Sequence, residues 1–76
     1  MSTSLPVLSG RQVAKVLAKA GFVHIPDRGK GSHLFMFRAD PRTALTIPDH
    51  REVKRGTLRA IIRKAGLSVD EFVALL

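Results

Sequence analysis

Arg28-Gly29-Lys30-Gly31-Ser32-His33-Leu34-Phe35-Met36-Phe37 is the stretch on which the reading of the fold turns. A basic loop punctuated by glycines ends in a histidine, and an apolar run begins at once. Glycine lets a backbone turn tightly, or approach a ligand, without side-chain cost. The apolar run is too short for a solvent-facing helix and suits a strand. Histidine exchanges a proton near neutral pH, with an ordinary value of about 6.5. The stretch therefore sets an acid/base group at the mouth of a strand, among cations. Such a place suits chemistry on a phosphodiester.

Working outward, Ala39-Asp40-Pro41-Arg42 reads as a turn, because proline presets the backbone angle that a turn needs. Thr43 to Ile47 alternates as a third strand, stopped by Pro48. On the other side, Phe22-Val23-His24-Ile25 is β-branched and aromatic and ends at Pro26-Asp27, which predicts a first strand. Three consecutive strands with short connections form an antiparallel meander with the second in the middle.

Helices flank this meander. Ser9-Gly10-Arg11-Gln12 fits the S-x-x-Q capping box. Val13, Val16, Leu17 and Ala20 follow at i, i+3, i+4 and i+7, the apolar face of a helix that Gly21 ends. Asp49 to Arg55 is ambiguous between loop and first helical turn. From Gly56 the helical pattern returns through Leu58, Ile61, Ile62 and Ala65, and Gly66 closes it. Ser68-Val69-Asp70-Glu71 is a second capping box and opens a short helix through Leu76. The expected fold is α+β, a three-stranded antiparallel sheet with helices on one face, in one domain over residues 9–76. Residues 1–8 read as an extended lead-in.

Composition narrows the functional classes. A chain of 76 residues buries about 60–65% of its unfolded surface, so its core is small. It has no cysteine, which excludes disulfides, thiolate metal sites and a cysteine nucleophile. Nothing resembles a signal peptide or membrane span, so a cytoplasmic protein is expected. Thirteen Lys and Arg against six Asp and Glu give +7. That charge favours polyanions, nucleic acid above all, and fits an acidic protein partner equally well.

The three histidines differ in setting. His24 alternates with Phe22 inside a strand and reads as a surface strand residue. His50 follows Pro48-Asp49 beyond the third strand. It reads as a solvated loop residue, or as a secondary site group if that strand end lies beside the start of its neighbour. His33, after glycine and serine, reads either as an acid/base group or as a histidine capping a backbone carbonyl at the strand start. The spacings match no zinc pattern, so no metal or other cofactor is expected. The loop Gly29-Lys30-Gly31-Ser32 has a phosphate-binding composition but not the Walker spacing, and a strand follows it. The run Leu34 to Phe37 sends large side chains to both sheet faces, and helices this short cover one face. Strand curvature and the lead-in bury part of what remains, or the other face is a surface for stacked bases or for a protein. Arg55, Arg59 and Arg63 repeat at spacing four, a ridge that is either solvated or a phosphate contact.

Leu5-Pro6-Val7-Leu8-Ser9-Gly10, Ala20-Gly21-Phe22, Gly31-Ser32-His33, Ile47-Pro48-x-His50, Arg55-Gly56-Thr57-Leu58-Arg59-x-Ile61 and Ala65-Gly66-Leu67-Ser68 together resemble the HicA toxin family. These are small YcfA-like mRNA interferases of type II toxin–antitoxin systems. The resemblance implies a double-stranded-RNA-binding-domain-like α-β-β-β-α fold and a metal-independent endoribonuclease with His33 as its catalytic residue. It also implies mRNA as substrate and a neutralising HicB antitoxin, which commonly supplies the DNA-binding part of the complex. Arg28, Lys30, Gly31 and Ser32 are then the nearest phosphate-binding candidates in sequence. The glycine-lysine pair at residues 29 and 30 departs mildly from the family pattern. A non-catalytic RNA-binding module of the same fold is the rival reading.

Overall fold

A computed structural model describes residues 4–26 and 31–76. The order of elements is α1 (Gly10–Lys19), β1 (Val23–His24), β2 (His33–Ala39), β3 (Arg42–Pro48), α2 (Arg55–Lys64) and α3 (Val69–Ala74). This is the expected α-β-β-β-α order with a short terminal helix. The strands form one antiparallel sheet in the order β1-β2-β3, with β2 central.

Local chemistry accounts for most element ends. Ser9 Oγ accepts from Gln12 N–H at 3.1 Å while Gln12 Oε1 accepts from Ser9 N–H at 2.8 Å. Ser68 and Glu71 repeat that reciprocal cap at 3.0 and 2.8 Å at the start of α3. Each box satisfies two amides that the first helical turn leaves without a partner. By contrast, α2 has no side-chain cap at Lys54. Its stability rests on burying Leu58, Ile61 and Ile62, with Arg63 and Lys64 favourably placed at its C-terminal end.

The strands β2 and β3 are each a residue or two longer than the sequence pattern predicts, because the turn tightens to Asp40-Pro41 and Ala39 pairs directly with Arg42. Strand β1 is shorter than predicted. Phe22 leaves the strand and its ring is buried, while Ile25 N–H still donates to the Phe35 carbonyl at 2.9 Å.

One core lies between the sheet and the helices. Met36, Leu45 and Ile47 from the strands join Val13, Val16 and Leu17 of α1, Leu58, Ile61 and Ile62 of α2, and Phe72 of α3. Leu5 and Leu8 of the lead-in are also buried, at 3% and 6% exposure. That burial carries no periodic signal, because an extended segment this short repeats nothing. Among the described residues no buried side-chain polar atom lacks a partner. No helix among the described residues is long and apolar enough to cross a membrane.

Candidate RNA-cleavage site

His33 opens β2, and the turn before it is set by Gly31. Gly31 has φ +62°, in the left-handed region that side chains with a Cβ rarely adopt. An added Cβ would meet nothing within 4 Å, so glycine is required there for its backbone angle and not for space. The Ser32 carbonyl accepts a hydrogen bond from Asp49 N–H, which fastens this turn to the far end of β3. His33 itself is exposed and sits opposite Pro48. His50, also exposed, lies two residues past Pro48 and so belongs to the same corner of the sheet.

A second set of contacts braces that corner. An added Cβ on Gly10 would stand 2.0 Å from the Pro48 carbonyl oxygen, so α1 begins in direct backbone contact with the end of β3. Gly10 N–H donates to the His50 carbonyl at 2.9 Å, and Val53 N–H donates to the Leu8 carbonyl at 2.8 Å. The Arg11 guanidinium reaches both carboxylate oxygens of Asp49 at 3.3 Å. Sequence reasoning missed the roles of Gly10, Arg11 and Asp49. The available signal was a glycine at the first helical position, where it weakens a helix and needs a steric reason.

Strand alternation decides which side chains share a face with His33. Leu34 and Met36 face the helices, and Leu34 packs against the core. His33, Phe35 and Phe37 therefore face the other way. The register adds Arg42, Ala44, Thr46 and Pro48 from β3, and Val23 from β1. Phe35 and Phe37 are half-buried. The Arg42 guanidinium stands 5.9 Å from the centre of the Phe37 ring. Arg38 is structural by contrast, 4.5 Å from the Phe22 ring centre and bonded to the Pro41 carbonyl and Thr43 hydroxyl at 3.1 Å.

The remaining candidates are placed as follows. His24 is exposed and pairs with Met36, so it is not on the His33 face. Arg55, Arg59 and Arg63 are all exposed on α2, in the helical layer. Arg59 and Arg63 line a groove with Ile62, Leu67 and Val69. Lys64, with Thr57 and Ala60, borders Leu45 and Thr46 of the edge strand β3. The arginine ridge and His33 thus occupy different layers, with Lys64 nearer the edge between them. Arg28 and Lys30 lie outside the described residues. Among the described residues no group of three His, Asp or Glu side chains forms a metal-binding cluster.

A comparison with curated proteins returns no match. The family model described as the HicA toxin of bacterial toxin–antitoxin systems matches residues 10–67. That span takes in both the braced corner around Gly10 and Pro48 and the strand that begins at His33. The chain belongs to the HicA toxin family, and as a toxin of a toxin–antitoxin system it has an antitoxin as its partner.

Proposed function

We propose that the chain is a metal-independent endoribonuclease that cleaves mRNA through His33 and is neutralised by a HicB-like antitoxin. The observation that supports this most is the placement of His33. It is exposed at the start of the central strand, behind a left-handed glycine and outside the core. A histidine so placed reaches solvent from a rigid element.

In the proposed reaction a ribose 2′-hydroxyl oxygen attacks the adjacent phosphorus. The bond from that oxygen to phosphorus forms as the bond to the leaving 5′-oxygen breaks. The 2′-hydroxyl proton is removed and a proton is delivered to the leaving oxygen, giving a 2′,3′-cyclic phosphate and a 5′-hydroxyl. His33 carries one of these transfers, and His50, at the same corner, is the candidate for the other. One well-placed proton transfer is worth roughly 10²–10⁴ in rate, adequate for a slow toxin. Charge builds on the phosphate, which calls for cations or amides beside it. The amides of Gly31 and Ser32, with Arg28 and Lys30, are the candidates nearest in sequence. The ridge of Arg55, Arg59 and Arg63 would hold the RNA backbone away from the point of cleavage.

The test is His33→Ala, read by RNA cleavage in excess EDTA, growth arrest and circular dichroism. A folded variant that neither cleaves RNA nor arrests growth is expected. A folded variant that still cleaves would remove His33 from the mechanism. Undiminished growth arrest without cleavage by either protein would favour the RNA-binding module.

A further inference from the structure

The sheet ends at β3, and two bonds fix which backbone groups point off that edge. Asp49 N–H donates to the Ser32 carbonyl, so Ser32 and Asp49 are a hydrogen-bonded pair of the ladder, one step beyond His33 and Pro48. Such pairs alternate along antiparallel strands, which bonds Ile47, Leu45 and Thr43 to β2. The other side of β2 agrees. Ile25 N–H donates to the Phe35 carbonyl, so Phe35 bonds toward β1 and its neighbours Leu34 and Met36 toward β3. The N–H and C=O groups of Arg42, Ala44 and Thr46 therefore point away from the sheet. No group among the described residues bonds to them, and all three residues are exposed. The Pro48 carbonyl, next in the series, meets Gly10 of α1. The edge is thus closed at Pro48 and open from Arg42 to Thr46.

An open edge is a template for another strand, and sheets blunt it with short strands, prolines or bulges. Strand β1 is only two residues long. Strand β3 runs seven residues, pairs one to one with β2 without a bulge, and holds no proline before Pro48. We propose that an extended, acidic segment of the antitoxin pairs with this edge as a fourth strand. The proposal rests on the family membership and not on the role of His33.

Hydrogen bonding selects a polypeptide over RNA. The edge offers both donors and acceptors, repeating every two residues, about 6.7 Å. An added peptide strand matches both at that repeat. An RNA backbone presents phosphate oxygens, which only accept, and its 2′-hydroxyls alone could serve the carbonyls. Charge then selects an acidic segment. Neither β3 nor α2 carries a carboxylate, and Arg42 stands at the start of the edge. Lys64 lines the groove between the two elements with Thr57, Ala60 and Leu45. Alternate side chains of an added strand would enter this groove, where Thr57 and Ala60 are small and Lys64 takes a carboxylate. A second copy of the chain would instead bring two bodies of +7 together, with Arg42 and Lys64 at the contact.

The test follows residue-resolved amide exchange of the toxin, alone and in complex with its antitoxin. Alone, the amides of Thr43, Leu45 and Ile47 should exchange slowly and those of Ala44 and Thr46 fast. In the complex Ala44 and Thr46 should slow about 10-fold or more, and no change there would overturn the proposal. Ala44→Pro removes an N–H that bonds to nothing in the sheet, a position where an edge strand tolerates proline. Folded by circular dichroism, it should bind the antitoxin about 10-fold or more weakly, through the lost bond and the bulk of the ring. Equal affinity would overturn the fourth strand. Lys64→Glu should also weaken binding at low salt, and no loss there would overturn the acidic character of the segment. If Ala44→Pro fails to fold, the exchange at Ala44 and Thr46 decides. A wild-type dimer in sedimentation that Ala44→Pro makes monomeric, with antitoxin affinity unchanged, would assign the edge to a second copy and overturn the proposal. Weaker RNA binding by Ala44→Pro with antitoxin affinity unchanged would assign it to RNA, with the same result. A wild-type toxin that cleaves no RNA sinks the ribonuclease alone and leaves the outcome at the edge standing.

Discussion

Two glycines at the starts of two helices should answer alanine substitution with opposite signs. Gly10 and Gly56 are the first and second residues of α1 and α2. Helix propensity and loss of unfolded-state freedom favour alanine at either position, by up to about 1 kcal/mol. At Gly56 nothing lies within 4 Å of an added Cβ, so that gain should appear in full. At Gly10 the added Cβ would sit 2.0 Å from the Pro48 carbonyl oxygen, 3.0 Å from its carbon and 3.1 Å from Asp49 Cα. All three are backbone atoms, so no side chain can swing aside. Helix α1 must move away from β3, straining or losing the Gly10–His50 hydrogen bond. Overpacking costs about 1–3 kcal/mol, and one lost hydrogen bond about 0.5–1.5 kcal/mol. After the propensity gain, Gly10→Ala should be destabilising by about 1–3 kcal/mol. For a domain of this size that lowers the melting temperature by roughly 5–25 °C. Gly56→Ala should raise it by roughly 2–8 °C. Thermal and urea unfolding followed by circular dichroism read both. A Gly10→Ala protein as stable as wild type would refute the close contact between α1 and β3, and with it the bracing of the corner that holds His33.

Two further outcomes are expected. Ser9→Ala and Ser68→Ala each remove a reciprocal cap and should cost about 0.5–2 kcal/mol in urea unfolding; a cost at neither site would mean that packing alone ends these helices. Charge removal at Arg59 and Arg63 should flatten the log–log salt dependence of binding to a long RNA by about 0.7 per arginine, and leave a trinucleotide unaffected. An unchanged slope on the long RNA would mean that the ridge is merely solvated.

The order of elements was legible because each carries its own local signal. Capping boxes at Ser9 and Ser68, the i, i+3, i+4 apolar patterns of α1 and α2, and the prolines at 26, 41 and 48 mark boundaries that depend on neighbours in sequence. The bracing of the corner was not legible, because it joins residues far apart along the chain. Nothing near Gly10 announces Pro48, and Arg11 carries no sign that its carboxylate is Asp49. The lead-in was opaque for a related reason, since Leu5 and Leu8 find their place only once the core exists. For β2 the sequence showed large apolar groups on both faces without saying which face the helices take. That choice is made by Met36, Leu45 and Ile47 lying on one side together.

This division of β2 ties the proposed chemistry to the register of the sheet. A slip of one residue would move every side chain of the strand to the opposite face. His33 and both phenylalanines would turn toward the helices, and Leu34 and Met36 toward solvent. The turn at Asp40-Pro41 fixes the register at one end of β2, where Ala39 meets Arg42. At the other end the bond from Asp49 N–H to the Ser32 carbonyl fixes it again. Gly10, pressed against Pro48 and bonded to His50, holds that second point from outside the sheet. The corner thus does two things with one set of contacts. It anchors α1 to the sheet, and it keeps His33 on the face where RNA is proposed to lie. A substitution that loosens the corner should therefore lower cleavage even where the protein stays folded, because the His33 end of β2 can part from Pro48 while Met36 and Leu45 still hold the core.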